Sequence, residues 1–291
     1  MHPAASVIIF TSLSGLGFGL LAFLGLGLPN VSGWSAFAFF FIAFALSVGG
    51  LLASTFHLGN PQRALKAFSQ WRTSWLSREG VVAVAALLVM GLYAALSIFL
   101  DIRITALGWL GSALSITTVY CTAMIYGQLK TVPRWNMGVT PILFLLYALA
   151  GGALLATQLR LALLLLVALT ITQILTWIRG DISFATAGHS IETATGLGHL
   201  GKVRLLESPH SGENYLTREM VHIVGRKHAL KLRIIATFCL GLIPIAMLAF
   251  FNLDHISALL VVILHIIGLF VARWLFFAEA EHVVGLYYDA R

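Results

Sequence analysis

Apolar runs of about twenty residues with scarcely a charge recur along the whole 291-residue chain. They constrain its fold more than any other feature, because a bilayer core about 30 Å thick is crossed by roughly 20 helical residues. Eight runs qualify, at about 5–28, 34–58, 80–100, 106–129, 139–156, 161–177, 234–252 and 255–277. The fifth and sixth form one apolar stretch interrupted only near Thr157, Gln158, Leu159 and Arg160. That stretch is too long for one straight crossing and predicts a tight hairpin. Because the runs are continuous and not alternating, they predict helices and not barrel strands. Only 10% of the residues are charged, against about 25% in a soluble domain. The expectation is an all-α integral membrane protein: one membrane domain over 1–291, eight transmembrane helices and a loop at 178–233.

An even number of spans places both termini on one side, and charge chooses the side. The C-terminus and the loops after spans two, four and six hold fifteen of the 18 Lys and Arg residues, whereas the opposite loops hold only Arg103 and Arg160. The positive-inside rule then predicts that both termini are cytoplasmic. The opening segment MHPAASVIIFTSLSG has no basic n-region and no A-x-A-like cleavage site, so the first run is expected to be retained. Within it, GLGFG at 15–19 suits close packing through small residues, or is glycine merely tolerated in a membrane helix.

The net charge of +7 follows topology and needs no nucleic acid to explain it. Both cysteines, Cys121 and Cys239, fall inside apolar runs without C-x-x-C spacing, so the chain has neither the thiolates for a cubane cluster of its own nor a disulfide framework. Walker A, H-E-x-x-H and G-x-S-x-G sequences are missing. No metal site is predicted. A transporter is a reading of another class, resting on eight spans and intramembrane ionisable groups. Against it, Pro244 stands alone in span seven, without the paired midplane Gly or Pro interruptions that point to transported substrates.

The segment STFHLGNPQRALKAFSQWRTSWLSREG, 54–80, crowds titratable and hydrogen-bonding groups between spans two and three. His57 and Glu79 bracket it at similar depth. Reduction of a quinone adds two electrons and two protons to an apolar ring with two carbonyl oxygens, so it needs an apolar slot, a donor to a carbonyl and a proton relay near water. His and a partly desolvated Glu suit those tasks, and Trp71, Trp75 and Trp135 could wall the slot. The plainer reading has Glu79 compensating the helix dipole behind a Ser77 N-cap, with basic residues setting topology and tryptophans anchoring the interface.

His265 and Arg273 lie within span eight, where ionisable groups are costly and tend to be paired or functional. His265 could support the site or ligate a haem, which would need a second axial group. Arg273 could snorkel outwards or pair with Glu279 or Glu281. The stretch SPHSGENYLTREMVHIVGRKHALKLR, 208–233, reads as an amphipathic helix resting on the membrane or on a partner protein. Its His210, His222 and His228 lack metal-ligand spacing.

HLGNPQRA followed by SWLSRE, together with TVPRWNMGVTP at 131–141 and ARWLFFAEAEHVVGLYY at 272–288, resembles the membrane-anchor subunits of the dimethyl sulfoxide reductase family, and the likeness runs the length of the chain. Within that family, MHPAASVIIFT, PHSGENYLTREM, RKHALKLR and FFAEAEH look most like the membrane subunit of the cytoplasmic sulfite-oxidising (sulfite dehydrogenase) complex. The resemblance implies a multi-pass subunit of the bacterial inner membrane without its own metal centre. Its expected partners on the cytoplasmic face are an iron-sulfur subunit and a molybdopterin catalytic subunit, and its expected redox partner is ubiquinone or menaquinone. The family's quinone-site His and Glu match His57 and Glu79, and the basic residue of the P-x-R-A segment matches Arg63. Arg78 is not a fixed feature of the pattern. Electron flow toward quinone implies sulfite oxidation; the reverse flow implies menaquinol oxidation with reduction of dimethyl sulfoxide or a related oxide.

Overall fold

The structure, a computed structural model, describes residues 2–57, 60–207, 209, 210, 212, 214–221 and 227–288. Among these residues all regular structure is helical. The α-helices are α1 (Ala5–Gly25), α2 (Gly33–Ala53), α3 (Trp75–Phe99), α4 (Thr105–Gly127), α5 (Val139–Leu155), α6 (Leu159–Thr186), α7 (Ile191–Thr195), α8 (Ala229–Thr237), α9 (Ile243–Phe250) and α10 (His255–Ala278). Seven segments are long and apolar enough to cross a bilayer: α1, Gly33–Phe56, α3, α4, α6, Ala229–Phe250 and α10. The chain is thus a multi-pass membrane protein. The 17-residue α5 rises about 26 Å at 1.5 Å per residue, a little short of the ~30 Å core.

The expected hairpin between α5 and α6 is present and turns at Thr157, which adopts φ +57°. Thr157 N donates to Leu154 O and Gln158 N to Ala153 O, the paired closure that ends many helices with a left-handed residue. Two helix boundaries differ from the sequence expectation. α3 starts at Trp75, five residues before Gly80, because Ser74 and not Ser77 is the N-cap, its hydroxyl accepting from Ser77 N at 3.5 Å. α6 continues nine residues past Trp177 to Thr186, since Arg179 and Asp181 are compatible with a helix once it leaves the apolar layer. Charge marks where a span meets water, not where its helix stops.

In lipid, helices associate through close packing, with little hydrophobic drive between them. The first helix consequently sits at the centre: 78% of its apolar window is buried, against 22% for Ala229–Phe250. α1 packs on α2, α4, α5 and α10. A Cβ on Gly17 would strike the Ser47 backbone of α2, and one on Gly152 of α5 would strike the Gly19 backbone of α1. GLGFG is therefore a packing face. A Ser112 hydroxyl of α4 adds a hydrogen bond to Ala22 O at 2.7 Å.

The span Ala229–Phe250 is broken by a π-helical turn at Phe238–Leu242. Two residues later Pro244 has no N–H to give the carbonyl of Leu240, four positions back. His265 Nδ1 of α10 fills that role at 2.9 Å. Since the carbonyl can only accept, Nδ1 carries a proton, while the buried Nε2 has no hydrogen-bond partner among the described residues. His265 thus mends a proline-interrupted helix.

Candidate functional site

The connection between α2 and α3 folds back on the helices it joins. α2 passes into a short 3₁₀ turn, Ser54–His57, which packs against α1. A second 3₁₀ segment, Pro61–Phe68, opens with the proline whose fixed φ suits a helical start. It lies against α3, its Phe68 ring 3.2 Å from where a Cβ on Gly80 would stand. A side chain at position 80 would crowd that ring, so Gly80 suits the close approach of this segment beside Glu79. The side chains of His57 and Arg63 lie outside the described part of the structure.

Glu79, in the second turn of α3, is 4% exposed. Burying a carboxyl group is costly unless it is hydrogen-bonded, and the Thr122 hydroxyl of α4 donates to Glu79 Oε1. Thr122 also donates to Thr118 O at 3.1 Å within its own helix. Arg78, the neighbouring residue, serves the loop instead. Its Nε and Nη2 donate to the carbonyls of Trp71 (3.0 Å) and Arg72 (2.6 Å), and its guanidinium lies 4.3 Å from the Trp75 ring centre. Arg78 thereby clamps the 70–78 turn while Glu79 points inward. Trp75 packs edge-on against Tyr120 of α4 with centroids 5.8 Å apart, and Trp71 is exposed.

Trp135 belongs to a different group. Its indole Nε1 donates to Phe276 O at 2.8 Å, and its ring stacks on Phe276 and meets Tyr126 edge-on, both at 5.3 Å. Tyr126 stands one turn past Thr122 on α4, its ring 5.7 Å from that of Phe144. Arg273 is 2% exposed, so it does not snorkel outwards, and Glu279, one of the two acids suggested as its partner, is bound by Arg134 and Arg233. The Arg273 guanidinium sits 3.7 Å from the Phe144 ring centre and 4.5 Å from that of Tyr147, while Tyr147 donates to Gln173. Two buried polar groups thus stand in the bundle, Glu79 with Thr122 and Arg273 with Tyr147 and Gln173, and the Phe144 ring touches both Tyr126 and the Arg273 guanidinium.

Glu279 is held elsewhere. Arg134 Nη1 reaches its Oε2 at 3.1 Å and Arg233 Nε its Oε1 at 2.7 Å. The same two arginines bind Asp181 Oδ1 at 2.5 and 2.6 Å. This four-member network ties the 128–138 loop, α6, α8 and α10 together at one end of the bundle. Sequence reasoning missed it, and also missed Thr122. For Thr122 a signal was present, since Ser115, Thr118, Thr122 and Tyr126 mark one face of α4 at helical spacing.

Of the segment 208–233, expected to form a short amphipathic helix leading into span seven, the described residues include a π-helical turn, Leu216–Met220, and the start of α8 at Ala229; the rest of that stretch, including His222, lies partly outside them. It is tethered through His2 N to Glu219 O at 2.7 Å and Asn214 Nδ2 to Tyr288 Oη at 3.0 Å. Among the described residues no group of three His, Cys, Asp or Glu side chains could hold a metal ion.

Residues 1–278 match the family described as DMSO reductase anchor subunit (DmsC). The chain is 30% identical to a sulfite dehydrogenase subunit of Allochromatium vinosum over the whole of its own length and 99% of that protein. It is also 34% identical to the anaerobic dimethyl sulfoxide reductase protein YnfH of Escherichia coli, over 40% of this chain and 42% of that one. No solved structure matches significantly.

Proposed function

Because the chain belongs to the DMSO reductase anchor subunit family, we propose that it anchors a molybdopterin oxidoreductase on the cytoplasmic face of a bacterial inner membrane and passes electrons between an iron-sulfur subunit and quinone. In this reading α5 is the eighth span and both termini are cytoplasmic, in keeping with the basic residues of the loops on that side. The partner's substrate is sulfite, oxidised to sulfate with quinone as acceptor. The full-length likeness to a sulfite dehydrogenase subunit supports that choice. The partial likeness to YnfH supports a second direction of flow, from menaquinol to an oxide; the sequence of the copurifying large subunit decides between them.

The observation that carries the site is the buried carboxyl of Glu79, held by Thr122 beside the folded-back connection that bears His57. Quinone supplies a two-electron, two-proton carbonyl chemistry. His57, at the membrane end of α2, hydrogen-bonds a carbonyl oxygen, and Arg63 keeps that mouth polar. Glu79 passes protons inward from the cytoplasm, and Thr122 holds its carboxyl group in one orientation. Phe68 and Trp75 close the apolar side of the slot.

Glu79→Gln keeps the size of the side chain and a carbonyl acceptor for Thr122 but removes the exchangeable carboxyl proton. Quinone-linked turnover of the intact complex is expected to fall by about 10²-fold or more, while oxidation of sulfite by a soluble acceptor stays at the wild-type rate. Unchanged quinone turnover would remove Glu79 from the proton route.

A further inference from the structure

A cavity of about 500 Å³ opens between the 128–138 loop and the last two turns of α6, well separated in sequence from the connection proposed to bind quinone. Lys130, Arg179 and His189 line it, together with the amide of Asn136 and the hydroxyls of Ser183 and Thr186, and no carboxylate is among its lining groups. The two hydroxyls are tied to carbonyls of their own helix, Ser183 to Gly180 at 2.7 Å and Thr186 to Ile182 at 2.9 Å. Asn136 Nδ2 donates to Gly127 O at 2.6 Å. Asp181, the nearest acid in sequence to Arg179, is committed to Arg134 and Arg233, and its two-residue offset turns it to the far side of α6. The cavity therefore presents two full positive charges and one ionisable ring, with no carboxylate among the described residues that line it.

A second feature says what kind of anion suits it. From the cavity rim a stripe of exposed apolar side chains, Ile182, Ile178, Leu175 and Ile171, follows one face of α6 into the membrane. Its spacing of three and four residues is that of a single helix face, and from Ile171 to Ile182 it rises about 17 Å at 1.5 Å per residue. A cationic pocket at a span's end, continuous with an apolar track of acyl-chain scale, fits an amphiphile with an anionic head. Basic pockets between membrane helices at the cytoplasmic surface bind anionic lipid headgroups in this way. An acidic protein segment would use the charge but leave the track uncovered.

We propose that this cavity binds the phosphate headgroup of an anionic phospholipid through Lys130, Arg179 and His189, with an acyl chain lying on the Ile171–Ile182 face of α6. The test uses the full chain, with whatever subunits accompany it, purified in mild detergent and stripped of lipid. Native mass spectrometry then follows binding of phosphatidylglycerol, phosphatidylcholine and glycerol 3-phosphate. The expected result is retention of phosphatidylglycerol, about thirtyfold weaker retention by Lys130→Gln/Arg179→Gln, and little binding of phosphatidylcholine. That factor corresponds to roughly 1 kcal/mol per basic residue. Arg103→Gln, at the other end of the bundle, keeps wild-type binding. If the double variant does not fold, Ile178→Ser and Ile182→Ser, which leave the charges in place, are expected to weaken the phospholipid and not the water-soluble anion. Equal binding of both lipids, undiminished binding by the charge variant, or glycerol 3-phosphate binding as tightly as phosphatidylglycerol would each overturn the proposal.

Discussion

Leucine in place of His57 is expected to leave a fully assembled complex that oxidises its substrate with a soluble acceptor at the wild-type rate, while quinone-linked turnover falls between about 10²- and 10⁴-fold, the range that a positioned proton donor commands. The expectation follows from place and chemistry together. His57 ends the 3₁₀ turn that continues α2, so its backbone stands where an apolar span gives way to a polar connection. That is the depth at which an apolar ring with polar carbonyls comes to rest. Steady-state assays with a water-soluble quinone and with an artificial acceptor, run on one preparation, separate the two activities. Loss of both in an assembled complex would remove His57 from the quinone step.

Glu279→Ala is expected to carry the largest cost in stability, about 3–5 kcal/mol, the range for breaking a buried ion pair from one side. The Glu279 side chain is 3% exposed, and its two oxygens bind Arg134 and Arg233, themselves only 14% and 21% exposed. Its loss leaves two arginines sharing Asp181. Because the network joins the 128–138 loop, α6, α8 and α10, the effect is expected as a lower midpoint of thermal unfolding in detergent and less protein in the membrane. Asp181→Asn is the contrast, since that carboxylate is 45% exposed and exposed pairs contribute about 1 kcal/mol or less. Equal losses from the two substitutions would mean that burial does not set the strength of this network.

The helical class and nearly every membrane span were legible because a single rule, apolar length against bilayer thickness, decides them. The hairpin at Thr157 was legible for the same reason, since an apolar stretch of that length cannot cross once. Helix ends were less so: α3 and α6 extend beyond their apolar runs because capping and propensity, not hydropathy, end a helix. At the candidate site, sequence reasoning singled out Glu79 but not the hydroxyl bonded to it, since the pairing with Thr122 depends on how α3 and α4 pack. Arg273 shows the opposite failure. Its nearest acids in sequence were the obvious partners, yet Glu279 turned to Arg134 and Arg233, leaving the Arg273 guanidinium on Phe144 and Tyr147. His265 drew attention as an intramembrane ionisable group, while its visible task depends on Pro244, 21 positions earlier in the chain. Spacing can mark a polar face of one span, as it does for Thr122 on α4, but it does not name the partner on another span.

The central claim, that this chain is the quinone-reactive anchor of a molybdenum oxidoreductase, is tested most directly by gentle extraction from native membranes. Mass spectrometry of every copurifying chain is combined with molybdenum, iron and quinone analysis of the same fraction. The account predicts a molybdopterin subunit and an iron-sulfur subunit in stoichiometric amounts, with molybdenum, iron and quinone present. A lone 31.5 kDa chain that carries neither metals nor quinone, and remains alone under still milder extraction, would contradict it.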